Sequence, residues 1–220
     1  MHNNRSVAGQ IAEAQTPDRL RWGNPLSYKP EWGERAKCAA SLVPDNVSVL
    51  EIGVGTGVFR ELVKGRTAFV GSDLQPLDAA SIALDLDRDP LPDTHFDYAV
   101  LLGVFEYLRQ PEAAAEKICN TADHVIASYC SRRADLERPA VLESRRRRGW
   151  VNSFDRAEFI QLFSRHGHKL FSSMLLKATD EIEEFLMEFR RSDMATRRTS
   201  GEHALVNDQG NVPSPRNGAN

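Results

Sequence analysis

The sequence predicts an α/β fold: a mostly parallel seven-stranded sheet covered on both faces, with a terminal antiparallel hairpin and a reduced second crossover helix. Three observations predict it. Short apolar runs alternate with amphipathic stretches from Glu31 onward, and the runs are apolar on both faces, as strands buried in parallel sheets are. The segment Val49–Phe59 ends an apolar run in the acid Glu51 and then breaks into Gly53, Gly55 and Gly57 before the amphipathic stretch Val58–Lys64, which stops at Gly65. That is a buried strand, a tight turn of nearly bare backbone and a helix. Last, the β-like runs Lys169–Lys177 and Glu183–Arg190 lie close enough in sequence to pair antiparallel.

The elements follow in order. A helix is expected over Glu31–Ser41, with Trp32, Ala36, Ala39 and Ala40 towards the core. Strand one is Val47–Ile52 and its helix Val58–Lys64. Strand two is Ala68–Ser72, closed by Asp73, and a short strand three at Ile82–Leu84 is closed by Asp85. Only about eight residues separate Asp73 from strand three, too few for a crossover helix, which needs a dozen or more. Strand four, Tyr98–Leu102, follows the turn signal Asp89–Asp93. A helix over Pro111–Cys119 has proline in its first turn, where the missing N–H costs nothing. Strand five is His124–Ser128. The helix Asp155–His166 opens on the capping pair Asp155 and Glu158 and ends at Gly167.

At 220 residues the chain has the size of one α/β domain. The polar, aperiodic residues 1–17 read as a flexible N-terminal arm, and residues 192–220 are too poor in bulky apolar groups to offset ordering entropy, which leaves residues 18–191 as the domain. A net charge of −3 and a pI near 6.1 give no global attraction to nucleic acid or anionic membrane. No run approaches the ~20 apolar residues of a membrane span, and the N-terminus lacks a signal-like apolar segment. Cys38, Cys119 and Cys130 are scattered, without metal-like spacing, and read as reduced thiols of a cytoplasmic protein.

Glycines in such a turn accept positive φ and let a ligand approach the main chain, so a nucleotide-like ligand is the first hypothesis. A dinucleotide turn reads G-x-G-x-x-G, its last glycine allowing close helix–strand packing. Counted from Gly53 that place holds Val58, which argues against a nicotinamide oxidoreductase, and the turn holds no Arg or Lys before Arg60 to meet a phosphate. Instead Glu51 to Gly57 reads E-x-G-x-G-x-G, with Asp73 closing strand two, Asp85-Leu86-Asp87 after strand three, Phe96-Asp97-Tyr98-Ala99-Val100 leading into strand four, and Gly103-Val104-Phe105-Glu106-Tyr107-Leu108 at its far end. This order resembles the Rossmann-like class I methyltransferases over about Leu42 to Arg190. Within them it is similar to small bacterial enzymes of the methionine-biosynthesis W type and of polysaccharide clusters.

The resemblance implies S-adenosyl-L-methionine as cofactor. Gly53, Gly55 and Gly57 would let its methionine part lie against the backbone, with Glu51 towards the amino group. Asp73 would accept both ribose hydroxyls, since a carboxylate offers two acceptor oxygens. Asp85 and Leu86 would meet the adenine, and Leu102 and Gly103 would wall the site. Glu106 and Tyr107 would face the methyl position. Tyr107 stands where many relatives carry histidine, so no catalytic base is assigned. His95 precedes strand four at its wrong end, and His166 and His168, flanking the end of a helix, read as satisfied surface histidines. Trp22, Tyr28 and Trp32 either cap the site from the N-terminal side or pack in the core.

The acceptor side is expected in Tyr129–Ser153, which carries Arg132, Arg133, Arg138 and the run Arg145–Arg148, then Trp150 and Asn152. Arginine forks suit phosphate and carboxylate, so Arg145 and Arg148 would form a basic lid, with Trp150 stacking on a ring and Asn152 beside it. A solvated helix face is the plainer use of such a run. The enzyme reading is methyl transfer to an oxygen or nitrogen of a small or saccharide-linked, anionic acceptor. The alternative is a catalytically degenerate relative that binds and regulates another biosynthetic enzyme. A homodimer is compatible with either.

Overall fold

The computed structural model describes residues 18–30 and 32–192. The expected arm over residues 1–17 and the tail beyond Ser192 lie outside the described residues. Seven strands form one sheet in the order β3-β2-β1-β4-β5-β7-β6. They are β1 (Ser48–Ile52), β2 (Ala68–Asp73), β3 (Ser81–Ala83), β4 (Phe96–Leu102), β5 (Ala122–Arg132), β6 (His168–Ala178) and β7 (Ile182–Arg191). Strands β1 to β5 pair in parallel, while β7 runs antiparallel to both β5 and β6. The reversal of strand order falls between β1 and β4, which is where an open α/β sheet leaves a crevice.

The helices are α1 (Arg19–Trp22), α2 (Trp32–Leu42), α3 (Val58–Val63), α4 (Pro111–Thr121), α5 (Arg138–Arg147) and α6 (Arg156–Ser164). On one face of the sheet, Ala36, Ala39 and Ala40 of α2 and Phe59 and Val63 of α3 pack on Val49, Val100 and Ile126. On the other, α4 and α6 bury Ile118, Phe159 and Phe163 against Ala99, Leu101 and Phe189. Tyr129 stacks on Phe159 at 4.4 Å and Phe163 on Phe189 at 4.3 Å between ring centroids. Each of these fully buried side chains contributes about 1.5–3 kcal/mol from apolar burial.

The second crossover carries no helix: turns and bends join Asp73 to Ser81. Strand β5 is longer than its apolar run suggests. Its register on β7 continues from Ser128↔Leu186 to Arg132↔Ile182, so antiparallel pairing carries Tyr129–Arg132 past the parallel partner β4. Two short elements were not apparent from the pattern: α1, and the 3₁₀ turn Pro25–Ser27. The arginine-rich segment after β5 folds as α5.

The capping box of α6 is present as expected. Asp155 accepts from the Glu158 N–H at 2.9 Å, and the Glu158 carboxylate accepts from the Asp155 N–H at 2.9 Å. Asp155 also accepts from the buried Arg132 at 3.0 Å. Asp155→Ala removes the cap, worth about 1 kcal/mol, and leaves Arg132 with one anion fewer, so a loss of about 2 kcal/mol in urea unfolding is the expected outcome. His168 is fully buried rather than at the surface, its Nε2 3.0 Å from the Ala122 carbonyl. All three cysteines are free, with Cys119 and Cys130 buried. No helix among the described residues is long and apolar enough to cross a membrane.

Candidate functional site

A cavity of about 470 Å³ opens beyond the carboxyl ends of β1, β2 and β4. Its floor is the turn after β1, where Gly53, Gly55 and Gly57 have φ of 86°, 55° and 77°. At Gly53 a Cβ would lie 2.6 Å from Val104 Cγ2, and at Gly55 it would lie 2.6 Å from Tyr28 Cε1, so side chains there would close the floor. Gly57 has another role. It caps α3 in the left-handed region under the Arg60 guanidinium and does not line the cavity. The turn's amides are also spent internally: Gly53 and Val54 N–H donate to the Ser72 carbonyl, and Gly57 N–H to Val54. The floor thus offers shape more than N–H donors.

Acids stand at the ends of successive strands. Glu51 is buried on the cavity wall, its Oε2 has no hydrogen-bond partner, and burial pushes its carboxyl well above the usual carboxylate range. Asp73 closes β2; its Oδ2 accepts from Gly55 N–H at 2.8 Å and its Oδ1 from Gln75 N–H at 3.2 Å. Burial raises its carboxyl too, against those N–H bonds. Asp85 keeps Oδ2 without a hydrogen bond, 3.5 Å from the Arg19 guanidinium. Its neighbours are occupied: Asp87 accepts from Arg109 and Gln110 N–H, and Asp89 from Asp85 N–H. Asp85 and Leu86 line the cavity, as do Leu102 and Gly103.

The far wall contains Glu106, Tyr107 and Trp150. Glu106 anchors its loop through Oε1, which accepts from Cys130 N–H at 2.8 Å, while Oε2 is buried without a partner. Tyr107 accepts from the Trp150 indole at 3.1 Å, and burial pushes its hydroxyl up to about 12. Trp22, Tyr28 and Trp32 are half-buried on the cavity wall rather than in the core. The segment carrying Trp22 is tied down at both sides: Arg19 donates to the Leu74 carbonyl at 2.8 Å and Arg21 to the Arg148 carbonyl at 2.9 Å.

The basic-lid expectation is corrected here. Arg145 is 1% exposed and turned into the core, where it donates to the Asn152 carbonyl, the Cys130 carbonyl and the Tyr129 hydroxyl. Arg148 reaches Ser144 and Glu181. Asn152 donates from Nδ2 to the carbonyls of Phe105 and Leu108, at 2.7 and 2.6 Å, and so clamps the 3₁₀ turn Phe105–Tyr107. None of the three lines the cavity, whereas Gly149 and Trp150 do. No histidine lines it either, and the described residues hold no His/Cys/Asp/Glu cluster suited to a metal. Among the wall residues that sequence reasoning missed are Arg21, Arg35, Cys130 and Glu184. Arg35 pairs with Glu184 at 2.8 Å and donates to the Leu102 carbonyl at 3.3 Å.

A doubly wound sheet with acids at the ends of β1 and β2 around a glycine floor defines a nucleoside-type ligand site at the switch point. The chain belongs to the methyltransferase-domain family, whose profile matches residues 26–173. Comparison with curated protein sequences finds no match. Among solved structures, the chain is similar to the N-methyltransferase NodS from Bradyrhizobium japonicum WM9 in complex with S-adenosyl-L-homocysteine, with 18% identity, a TM-score of 0.57, and coverage of 84% of this chain and 99% of that one. It is similar to the magnesium protoporphyrin IX methyltransferase ChlM from Synechocystis PCC 6803 with bound S-adenosylhomocysteine, at 13% identity, TM-score 0.55 and coverage of 72% and 82%. The [4+2]-cyclase SpnF is a third, at 12% identity, TM-score 0.58 and coverage of 72% and 80%. At these identities the likeness is one of fold, and a cyclase among the three underlines that chemistry must be argued from the site.

Proposed function

We propose that the protein binds S-adenosyl-L-methionine in this cavity and transfers its methyl group to an oxygen or nitrogen of a small or saccharide-linked acceptor. The observation that carries the reading is the ordered set of cavity-facing acids. Glu51 has an unpartnered buried oxygen for an ammonium. Asp73 keeps lone pairs for a diol beyond its two backbone bonds, and Asp85 Oδ2, ion-paired with Arg19 but without a hydrogen bond, can accept from an adenine amino group. These residues fit the cofactor, as do the glycines that leave its floor open. The structures of NodS and ChlM, both with S-adenosylhomocysteine bound, support the same choice.

When bound, the donor supplies an electrophilic methyl carbon on a sulfonium. The chain's part is then positioning and water exclusion, which can supply most of the rate of such a transfer. Tyr28 closes over Gly55, Trp22 packs on Tyr107 at 4.9 Å, and Trp150 shuts the side next to Tyr107. An anionic acceptor loses its main support, because Arg145 and Arg148 are engaged elsewhere.

The test is donor turnover: release of S-adenosylhomocysteine in the presence of sugar-nucleotide, saccharide, amine and carboxylate panels. Turnover with a member of these panels supports the enzyme. Cofactor binding without turnover on any of them favours the regulatory-partner alternative. The buried Glu51 makes a further prediction. Its carboxyl is held up by burial in the free protein, whereas a bound ammonium favours the ionised form, so binding releases a proton. Affinity for S-adenosylhomocysteine should therefore rise with pH from the acid range to neutrality, and Glu51→Gln should weaken binding and flatten that dependence, as read by calorimetry.

A further inference from the structure

Three carboxylate residues that line the cavity each bury one oxygen without a hydrogen-bond partner among the described residues: Glu51 Oε2, Asp85 Oδ2 and Glu106 Oε2. The first two are used by the cofactor reading. Glu106 is left over, and its environment is unusual for a residue that only anchors a loop. One oxygen already satisfies that role through Cys130 N–H, and the other is desolvated at no visible gain. An uncompensated buried acceptor of this kind costs stability unless a ligand completes it.

We propose that the methyl acceptor is an amine and that Glu106 Oε2 takes its proton. The inference rests on the methyltransferase reading and names the acceptor class for the same site. An amine arriving as an ammonium finds a carboxylate oxygen in need of a donor. The N–H bond breaks and an O–H bond forms on Oε2. The electron pair stays on nitrogen and would form the new N–C bond as the methyl carbon's bond to the donor sulfur breaks, that bond's pair leaving with sulfur as the neutral thioether, while the proton returns to solvent from Glu106 after product leaves.

Three further features favour an amine over an alcohol or an anion. The wall already accommodates a cation on its aromatic faces, with the Arg21 guanidinium 4.6 Å from the Trp22 ring centre and 5.6 Å from that of Tyr107. A second carboxylate, Glu184, lines the cavity and neutralises the neighbouring Arg35. Burial raises the Glu106 carboxyl, against the pull of Cys130 N–H, Arg35 and Arg145, with the Tyr107 and Tyr129 hydroxyls and the Cys130 thiol also close by. A raised carboxyl comes closer to an ammonium in proton affinity, while an alkyl hydroxyl stays far above it.

The experiment compares wild type with Glu106→Gln and Glu106→Asp. Gln keeps an oxygen for Cys130 N–H and loses the proton-accepting site. The probes are S-adenosylhomocysteine for cofactor affinity, and primary amines, alcohols and carboxylates of matched carbon skeleton for turnover. The expected result is amine turnover in wild type, and in Glu106→Gln a kcat lower by roughly a hundredfold or more with cofactor affinity and amine KM changed by no more than about threefold. Glu106→Asp should retain part of kcat, and it carries the test if Gln fails to fold.

A second readout is independent of activity. A carboxyl raised in the folded state contributes stability below its unfolded pKa and loses it as pH rises through the folded value. Wild type should therefore lose melting temperature relative to Glu106→Gln as pH rises above the ordinary carboxylate range. Wild-type kcat in Glu106→Gln, turnover confined to alcohols or carboxylates, or loss of cofactor affinity together with kcat would each overturn the assignment. Failure of wild type to bind S-adenosylhomocysteine would instead remove the reading beneath it.

Discussion

Asp73→Ala should weaken S-adenosylhomocysteine binding by roughly a hundredfold. The carboxylate stands at the end of β2 on the cavity lining, where Oδ2 accepts from Gly55 N–H of the turn after β1 and Oδ1 from Gln75 N–H just beyond β2. A hydrogen bond to a charged group contributes about 1.5–3 kcal/mol, and two ribose hydroxyls would lose theirs together, so even partial compensation by water leaves about 2.7 kcal/mol. The substitution also strips Gly55 N–H of its acceptor and loosens the floor beneath Tyr28. Asp73→Asn, which keeps the shape and one acceptor, should fall between the two. Circular dichroism would confirm that the fold persists. Affinity within threefold of wild type in Asp73→Ala would move the ribose away from β2.

The largest stability effect is expected at Arg145. Its guanidinium is fully buried and donates at 2.6 Å to the Asn152 carbonyl, at 2.9 Å to the Cys130 carbonyl and at 2.9 Å to the Tyr129 hydroxyl. It also lies 4.7 Å from the Trp150 ring centre. Truncation leaves a cavity and three acceptors without their donor, so Arg145→Ala should cost about 3 kcal/mol or more. For a domain of this size that lowers the melting temperature by roughly 6–12 °C. Lysine cannot span the three acceptors and should recover little. Arg146→Ala, on the exposed side of the same helix, should stay within about 0.5 kcal/mol of wild type. A normal melting temperature with lost turnover in Arg145→Ala would restore the basic lid.

These two residues mark what the sequence makes legible. Asp73 could be read because its position is set by local rules: an apolar run ends, and the acid at its end must lie at the sheet's carboxyl edge beside the glycine turn. The missing second crossover helix could be read from segment length alone. Arg145 could not. A run of four arginines signals a solvated face by default, and its burial depends on acceptors supplied by β5 and by the loop at Asn152, which are distant in sequence or unremarkable in it. The choice between cap and core for the N-terminal aromatics could not be made for a different reason. Helix α1 has only four residues, Arg19–Trp22, too few to show a period, and its hold on the domain comes from Arg19 and Arg21 reaching carbonyls at Leu74 and Arg148. The strand-end acids are thus a property of the fold, whereas the acceptor wall is assembled from pieces that only the folded chain brings together.

Calorimetric titration of wild-type protein with S-adenosylhomocysteine is the sharpest test of whether the crevice between β1 and β4 is built for S-adenosylmethionine. Saturable heat with one site per chain and a raised melting temperature on saturation are expected. No heat and an unchanged melting temperature would contradict that assignment of the crevice.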